Sequence, residues 1–268
     1  MAARSALLNV MIRAADKAGR ALRRDYGEVA NLQVSRKGPG DFVSAADLRA
    51  EKLLREELSR ARPDYALLME ESGASGDGAA ERRWIVDPLD GTSNFLHGLP
   101  HFAISIALEE RGELIAGVVL DPVKDELFYA EKGRGAFLND RRIRVSSRSR
   151  PGDSLVATGI PFAGHGDHAA FLAELEAVAG KVAGVRRWGT ASLDLAYVAA
   201  GRFDGYWERT LSSWDIAAGI VLVREAGGTI TEIGGGAIRH DSPSILAANE
   251  ALHPVLNRLL RGAGSQSA

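Results

Sequence analysis

Asp87 and Asp90 stand in the stretch WIVDPLDGTSNF, with Pro88 between them and Gly91 directly after. Trp84, Ile85 and Val86 read as a buried strand, because no polar residue interrupts them. A carboxylate at the carboxyl end of such a strand faces the edge where α/β sheets bind ligands. Pro88 fixes the turn and has no amide hydrogen to satisfy. Gly91 permits a positive φ and a close approach to a ligand. Such a turn can aim both carboxylates and the carbonyl of Leu89 at one point, and an all-oxygen set suits a hard divalent cation such as Mg²⁺. A D-x-x-D pair is also ordinary turn chemistry, so other parts of the chain must supply the remaining ligands.

Glu70 ends the apolar segment ALLME, and Glu71 follows it. Strand alternation sends the two to opposite sides, so one of them faces the cluster. Asp215 lies in SSWDIAAG, in the first turn of an expected helix, where the macrodipole by itself accounts for an acid. Asp47 follows Ser44 with the spacing of a capping box, which also needs no chemistry. Taken together these acids say more. If Glu70, Asp87, Asp90 and Asp215 converge, two charges 4 Å apart repel by roughly 4 kcal/mol near a protein surface. Either their pKa values rise or cations fill the gap. A phosphate dianion could approach such a cluster only with metal in place. The amides of Gly91, Thr92 and Ser93 would form an anion nest if a helix starts there, and the Thr92 hydroxyl could position a water.

The elements that must hold these residues are legible in outline. Leu7, Leu8, Met11, Ile12, Ala15, Ala18 and Leu22 recur at helical spacing, which predicts an amphipathic helix and not a signal peptide. DFVSAADLRAEKLLREELSRARPDY reads as a capped helix, ALLME as a strand, and SGASGDGAAE as a flexible loop. FAISIALEE, Arg111-Gly112 and ELIAGVVLDP form a hairpin signal, and ELFYAEKGRGAFLNDRRIRVS continues in short strands. SSRSRPGDS is the best internal boundary, dividing the chain into an antiparallel-rich subdomain over 1–146 and an alternating α/β subdomain over 147–268. GSQSA is expected to be a frayed tail.

Composition excludes several classes. The 268 residues carry 33 basic against 35 acidic side chains, so no global field favours nucleic acid or an anionic membrane. There is no cysteine, which removes disulfides, thiol catalysis and Cys-based zinc sites. No apolar run is long enough to span a bilayer, and a cytoplasmic location is expected. Neither a Walker A loop, HExxH nor GxSxG is present. His165 and His168 are expected in a polar loop, and the five arginines of RRIRVSSRSR in a solvated strand end and linker.

WIVDPLDGTSNFLHGLPHFAISIAL together with SSWDIAAGIVLVREAGG resembles the inositol monophosphatase family, and GDFVSAAD, MEESG and RRWGTASLDLAYVAAGRFDGYWE match its intervening blocks in order. The resemblance covers the chain from the first helix to about residue 260. It implies an α/β fold in a layered α-β-α-β-α sandwich, a homodimer, and Mg²⁺-dependent, Li⁺-sensitive hydrolysis of a small phosphate ester, foremost inositol 1-phosphate. It implies that Glu70, Asp87 and the Leu89 carbonyl bind one metal, and that Asp87, Asp90 and Asp215 bind a second. A third, looser ion would also use Glu70. Thr92, supported by Asp47, would orient the attacking water together with Glu70, and the Gly91 and Thr92 amides would bind phosphate. Glu208 matches the acid that holds sugar-like hydroxyls; Gly189, Thr190 and Ala191 match the substrate-side block, with Arg186 beside it. Histidinol phosphate, fructose 1,6-bisphosphate and 3′-phosphoadenosine 5′-phosphate are substrates of relatives. A regulatory protein touching RNA or transcription machinery on the same fold is the rival from another class.

Overall fold

The computed structural model describes residues 4–28, 34–38 and 41–264. Three elements open the chain. Helix α1 (Ala6–Tyr26) is capped by Ser5, whose hydroxyl accepts the Leu8 amide at 3.1 Å. A two-stranded hairpin, β1 (Val34–Gly38) and β2 (Asp41–Ser44), follows, and then helix α2 (Ala45–Ala61). Leu8, Met11, Ile12, Ala15, Ala18 and Leu22 of α1 are buried, as are Leu54 and Leu58 of α2. Burying a leucine of this kind stabilises by about 1.5–3 kcal/mol.

These helices cover one face of an eight-stranded sheet. Its strands are β3 (Ala66–Met69), β4 (Gly73–Ser75), β5 (Arg82–Asp90), β6 (Ala103–Glu110), β7 (Glu113–Asp121), β8 (Glu126–Glu131), β9 (Gly135–Leu138) and β10 (Arg141–Ile143), in the order β10-β9-β8-β7-β6-β5-β3-β4. The β6–β7 hairpin turns at Arg111 and Gly112, both with positive φ (51° and 81°). That is the geometry a two-residue hairpin with right-handed twist requires. A short helix α3 (Thr92–Leu96) follows β5.

The second sheet has five strands: β11 (Leu155–Thr158), β12 (Gly184–Arg186), β13 (Gly205–Arg209), β14 (Thr229–Thr231) and β15 (Ser244–Ala248), ordered β12-β11-β13-β15-β14. Helices α5 (Ala191–Ala199) and α6 (Ser213–Glu225) lie between the two sheets, in one core shared with Ile85, Val119 and Phe128 of the first and Tyr206 and Ile245 of the second. Helices α4 (His168–Ala179) and α7 (His253–Gly264) carry Val178, Leu256 and Leu260 into the core on the other side of the second sheet, with Trp207. The result is the expected α-β-α-β-α layering.

Three local expectations change. SGASGDGAAE is not wholly a loop, because Gly73–Ser75 pairs antiparallel with β3 as an edge strand. Backbone groups make that pairing, so small residues without an alternating pattern suffice. The segment before α2 contributes the β1–β2 hairpin. The turn after Val86 is a bulge within β5: the register to β6 shifts between Asp87 and Asp90, and Pro88 sits in the shift, where it withholds no ladder donor. The expected tail after Gly264 lies outside the described residues. Among the described residues no helix is long and apolar enough to cross a membrane.

Helix α6 approaches the first sheet closely because β7 carries a glycine. A Cβ on Gly117 would stand 2.6 Å from the Ala218 carbonyl oxygen and 3.0 Å from its Cα, both backbone atoms. Gly117→Ala is expected to destabilise by about 1–3 kcal/mol, lowering Tm by several degrees, since neither backbone can yield freely. Gly152→Ala, whose Cβ would meet nothing within 4 Å, should leave Tm nearly unchanged. Thermal denaturation of the two variants beside the parent protein checks this, and equal melting temperatures would show that α6 has slack.

Candidate active site

Strands β3 and β5 run parallel, with Met69 beside Val86, so both deliver their next residues to the same edge. The Glu70 amide donates to the Val86 carbonyl at 3.2 Å, extending the pairing by one residue. Glu70 is thereby set beside Asp87, and their carboxyl groups face each other within hydrogen-bonding range. The neighbouring Glu71 is tied elsewhere, its amide donating to Glu51 Oε2 at 2.8 Å. Asp87 is nearly inaccessible at 2% exposure, and its Oδ1 accepts the Leu89 amide at 2.9 Å.

The bulge then brings Asp90 out of the ladder and toward the second half of the chain. Asp90 Oδ2 accepts the Ser192 amide at 2.7 Å, at the start of α5. Gly91 follows with φ +93°, and a Cβ there would stand 2.6 Å from Thr190 Oγ1. Both the dihedral and the close approach therefore require glycine. Thr190 donates to the His101 carbonyl at 3.1 Å, and Asn94 Nδ2 bridges the carbonyls of His101 and Trp188 at 2.8 Å each. Gly189, Thr190 and Ala191 thus do a first job in the structure: they seat the α5 N-terminus against Asp90.

The two capping acids serve as caps and also reach the site. Asp47 Oδ2 accepts the Ser44 amide at 2.9 Å and its hydroxyl at 2.5 Å, while Oδ1 accepts Thr92 Oγ1 at 3.0 Å. The Leu89 carbonyl is also 3.0 Å from Thr92 Oγ1, so one hydroxyl proton lies between two acceptors. Asp215 Oδ2 accepts the Ser212 amide at 2.7 Å at the start of α6. It is half-buried, and its charge is felt at Asp87.

The electrostatics show one connected cluster. Burial pushes the Asp87 carboxyl well above the usual carboxylate range, and the charges of Glu70, Asp90 and Asp215 push it further. Asp215 is raised well above its ordinary value by burial and then by Asp90, Glu70 and Glu208. Asp90 rises to about 6 through burial, held back by the Ser192 hydroxyl and the Ser192 and Ala191 amides. Burial raises Asp47 too, against the hydrogen bonds from Ser44 and Thr92. Among the described residues no group of three acid or imidazole side chains forms a ready metal cage. The acids are instead gathered as the Glu70–Asp87 pair with Asp90 and Asp215 in electrostatic reach. The donor set still fits a hard divalent cation: every donor is oxygen, and like charges are held together in a buried site.

On the second sheet, Glu208 and Tyr206 share a face of β13, and the Tyr206 hydroxyl donates to Glu208 Oε2. Burial raises Glu208 to about 7, opposed by that hydrogen bond. Asp194, 1% exposed and with Oδ1 unpartnered, is pushed well up by burial, then by Glu208 and Asp90. Arg186 stands exposed, donating to the Val185 carbonyl at 3.0 Å. The positive charge felt by Asp194 and Glu208 belongs to its neighbour, Arg187. Arg187, Tyr206, Asp194, Ser192 and Asn94 were not singled out by sequence. The only local signal for Arg187 was the arginine doublet itself, Arg186-Arg187, at the end of β12. His165 lies in a loop, its ring tilted against Phe162 with centroids 4.3 Å apart, and His168 opens α4.

Comparison with known proteins bears on family and fold. The model of the inositol monophosphatase family matches residues 3–265. Inositol-1-monophosphatase of Rhizobium meliloti is 57% identical over 259 residues, covering 97% of each chain. Nus factor SuhB of Pseudomonas aeruginosa is 45% identical over 248 residues, covering 91% of each. The crystal structure of the extragenic suppressor protein suhB from Bartonella henselae superposes with a TM-score of 0.93 at 56% identity, covering 96% of this chain and 99% of that one.

The raised carboxyls fix a pH dependence. Their unfolded values lie near 4, so between about pH 4 and 7 these carboxyls bind more protons in the folded protein than in the unfolded chain. Their contribution to stability then falls as pH rises through that window, while His101 and His253, both lowered by burial, contribute in the opposite sense below about pH 6.5. A bound cation removes the penalty by competing with protons. In chelator-treated protein, adding saturating Mg²⁺ is expected to raise Tm more at pH 8 than at pH 5. A Mg²⁺ increment independent of pH would contradict the cluster described here.

Proposed function

The chain belongs to the inositol monophosphatase family and is a phosphoric monoester hydrolase, and from that premise we propose that it hydrolyses inositol 1-phosphate with Mg²⁺ as its resident cation. The observation that carries the proposal is the buried Asp87 beside Glu70, with Asp90 of the same strand and Asp215 of α6 acting on it. When bound among Glu70, Asp87, the Leu89 carbonyl, Asp90 and Asp215, Mg²⁺ supplies Lewis-acid polarisation of a phosphoryl oxygen and a more acidic bound water.

The chain's own residues have distinct tasks. Thr92 gives its proton toward Asp47 and the Leu89 carbonyl, which leaves an oxygen lone pair to accept a hydrogen from the attacking water. Asp47 is the positioning residue for that hydroxyl, and Glu70 accepts the water's other proton. The left-handed turn at Gly91 lets its amide and that of Thr92 face the phosphate oxygens without a side chain in the way. Glu208 accepts hydroxyls of the leaving polyol, which favours an inositol phosphate over esters with fewer hydroxyls. Arg187, and not Arg186, is the cation on this side. A homodimer and a cytoplasmic location complete the proposal.

A transcription-associated role is the second reading, supported by the 45% identity to a protein named as a Nus factor. Hydrolysis is favoured here because the acids are kept together despite their repulsion, and a scaffold has no need of that.

Phosphate release from inositol 1-phosphate, histidinol phosphate, fructose 1,6-bisphosphate and 3′-phosphoadenosine 5′-phosphate, with and without Mg²⁺, tests the proposal. Inositol 1-phosphate should be fastest and chelation should abolish release. Asp90→Asn, Asp215→Asn and Thr92→Ala should each lower kcat by about 100-fold or more, the scale of losing one positioned catalytic group. Unchanged release in Asp90→Asn or Asp215→Asn would make the assignment wrong.

A further inference from the structure

Glu208 sits at the end of β13 on a crowded seat, and two features hold it there. Strand β11 runs parallel to β13 with Thr158 beside Trp207, which puts Gly159 next to Glu208. A Cβ built on Gly159 would lie 1.9 Å from Glu208 Cδ and Oε1 and 2.2 Å from Oε2. The carboxylate therefore occupies the space that any side chain at 159 would take. Gly159 is not among the glycines with positive φ, so backbone conformation does not demand glycine there. The demand comes from the carboxylate. On the other side, Tyr206 lies two residues back on the same strand face, 0% exposed, and its hydroxyl donates to Oε2. Alternation fixes that geometry, because residues i and i+2 share a face.

Building on the proposed polyol role of Glu208, we propose that Gly159 and Tyr206 are positioning residues that set its carboxylate for the hydroxyls of the leaving alcohol, and so determine selectivity for hydroxyl-rich phosphate esters. Gly159 provides the space and Tyr206 fixes the rotamer. With Oε2 held by the tyrosine, Oε1 is the oxygen presented to a substrate hydroxyl. Neither residue belongs to the metal cluster or touches the Thr92–Asp47 pair, so their effect falls on alcohol binding and leaves the hydrolytic step intact.

The test compares two substrates in the Mg²⁺-loaded enzyme: inositol 1-phosphate, rich in hydroxyls, and phenyl phosphate, whose alcohol has none besides the ester oxygen. Tyr206→Phe keeps the ring and removes the donor. It should raise KM for inositol 1-phosphate about tenfold, the scale of one lost hydrogen bond to a charged group, with kcat little changed and phenyl phosphate kinetics unaffected. Gly159→Ala, which must displace the carboxylate, should do the same or more. In a Glu208→Ala background both substitutions should lose their effect on the inositol 1-phosphate KM, which a merely structural role would not reproduce. If Glu208→Ala itself leaves the preference between the two substrates unchanged, the polyol reading of Glu208 fails. If Glu208→Ala abolishes the preference while Tyr206→Phe and Gly159→Ala keep it, the positioning proposal fails. Equal losses on both substrates, or losses that persist without Glu208, also overturn it.

Discussion

The constraint on which the structure depends is the concentration of like charge at one sheet edge. Parallel strands β3 and β5 end there together and bring Glu70 to Asp87. Left uncompensated, such a group of carboxylates would push the edge apart. Part of the compensation is built into the backbone. Helices α2, α5 and α6 all begin at this edge, with Asp47 and Asp215 in the first turns of α2 and α6 and Asp90 on the Ser192 amide of α5. Backbone amides at three helix starts therefore donate to these acids, and three positive dipole ends lie beside them. Burial first, and then the residual repulsion, raise Asp87 and Asp215 above the ordinary carboxylate range, and this is what makes the edge receptive to a hard cation.

A capping acid and a site acid prove to be the same residue in two places. A carboxylate has two oxygens, and a cap uses one. Asp47 spends Oδ2 on Ser44 and offers Oδ1 to Thr92; Asp215 spends Oδ2 on the Ser212 amide. The cap fixes the rotamer, so the remaining oxygen is held in place without further contacts. This economy explains why neither acid could be assigned to stability or to chemistry by position in its helix.

The two sheets divide the work. Elements of the eight-stranded sheet carry Glu70, Asp87, Asp90 and Thr92, while the five-stranded sheet carries Gly159, Tyr206 and Glu208. Helix α6 lies between them, seated on β7 through the bare Gly117 and delivering Asp215 to the first group. The groups proposed to hold the cation and those proposed to meet the alcohol therefore rest on different sheets.

Much of this was determined by sequence. The amphipathic stripe of α1, the capping box of α2, the Arg111-Gly112 hairpin and the alternating second half follow from local periodicity and turn chemistry, and the layered fold follows from them with the motif resemblance. The acids themselves were legible because D-x-x-D after an apolar strand is a local pattern. Tertiary structure decided what local pattern cannot carry. The edge strand β4 is made by backbone pairing with no side-chain signature. The choice of Glu70 over Glu71 depends on register against β5, and that of Arg187 over Arg186 on which arginine's charge reaches Asp194 and Glu208. The glycine at 159 has meaning only beside Glu208, a residue of another strand. Periodicity records which face of an element is buried; it holds no record of which distant side chain meets that face, and a site is made of such meetings.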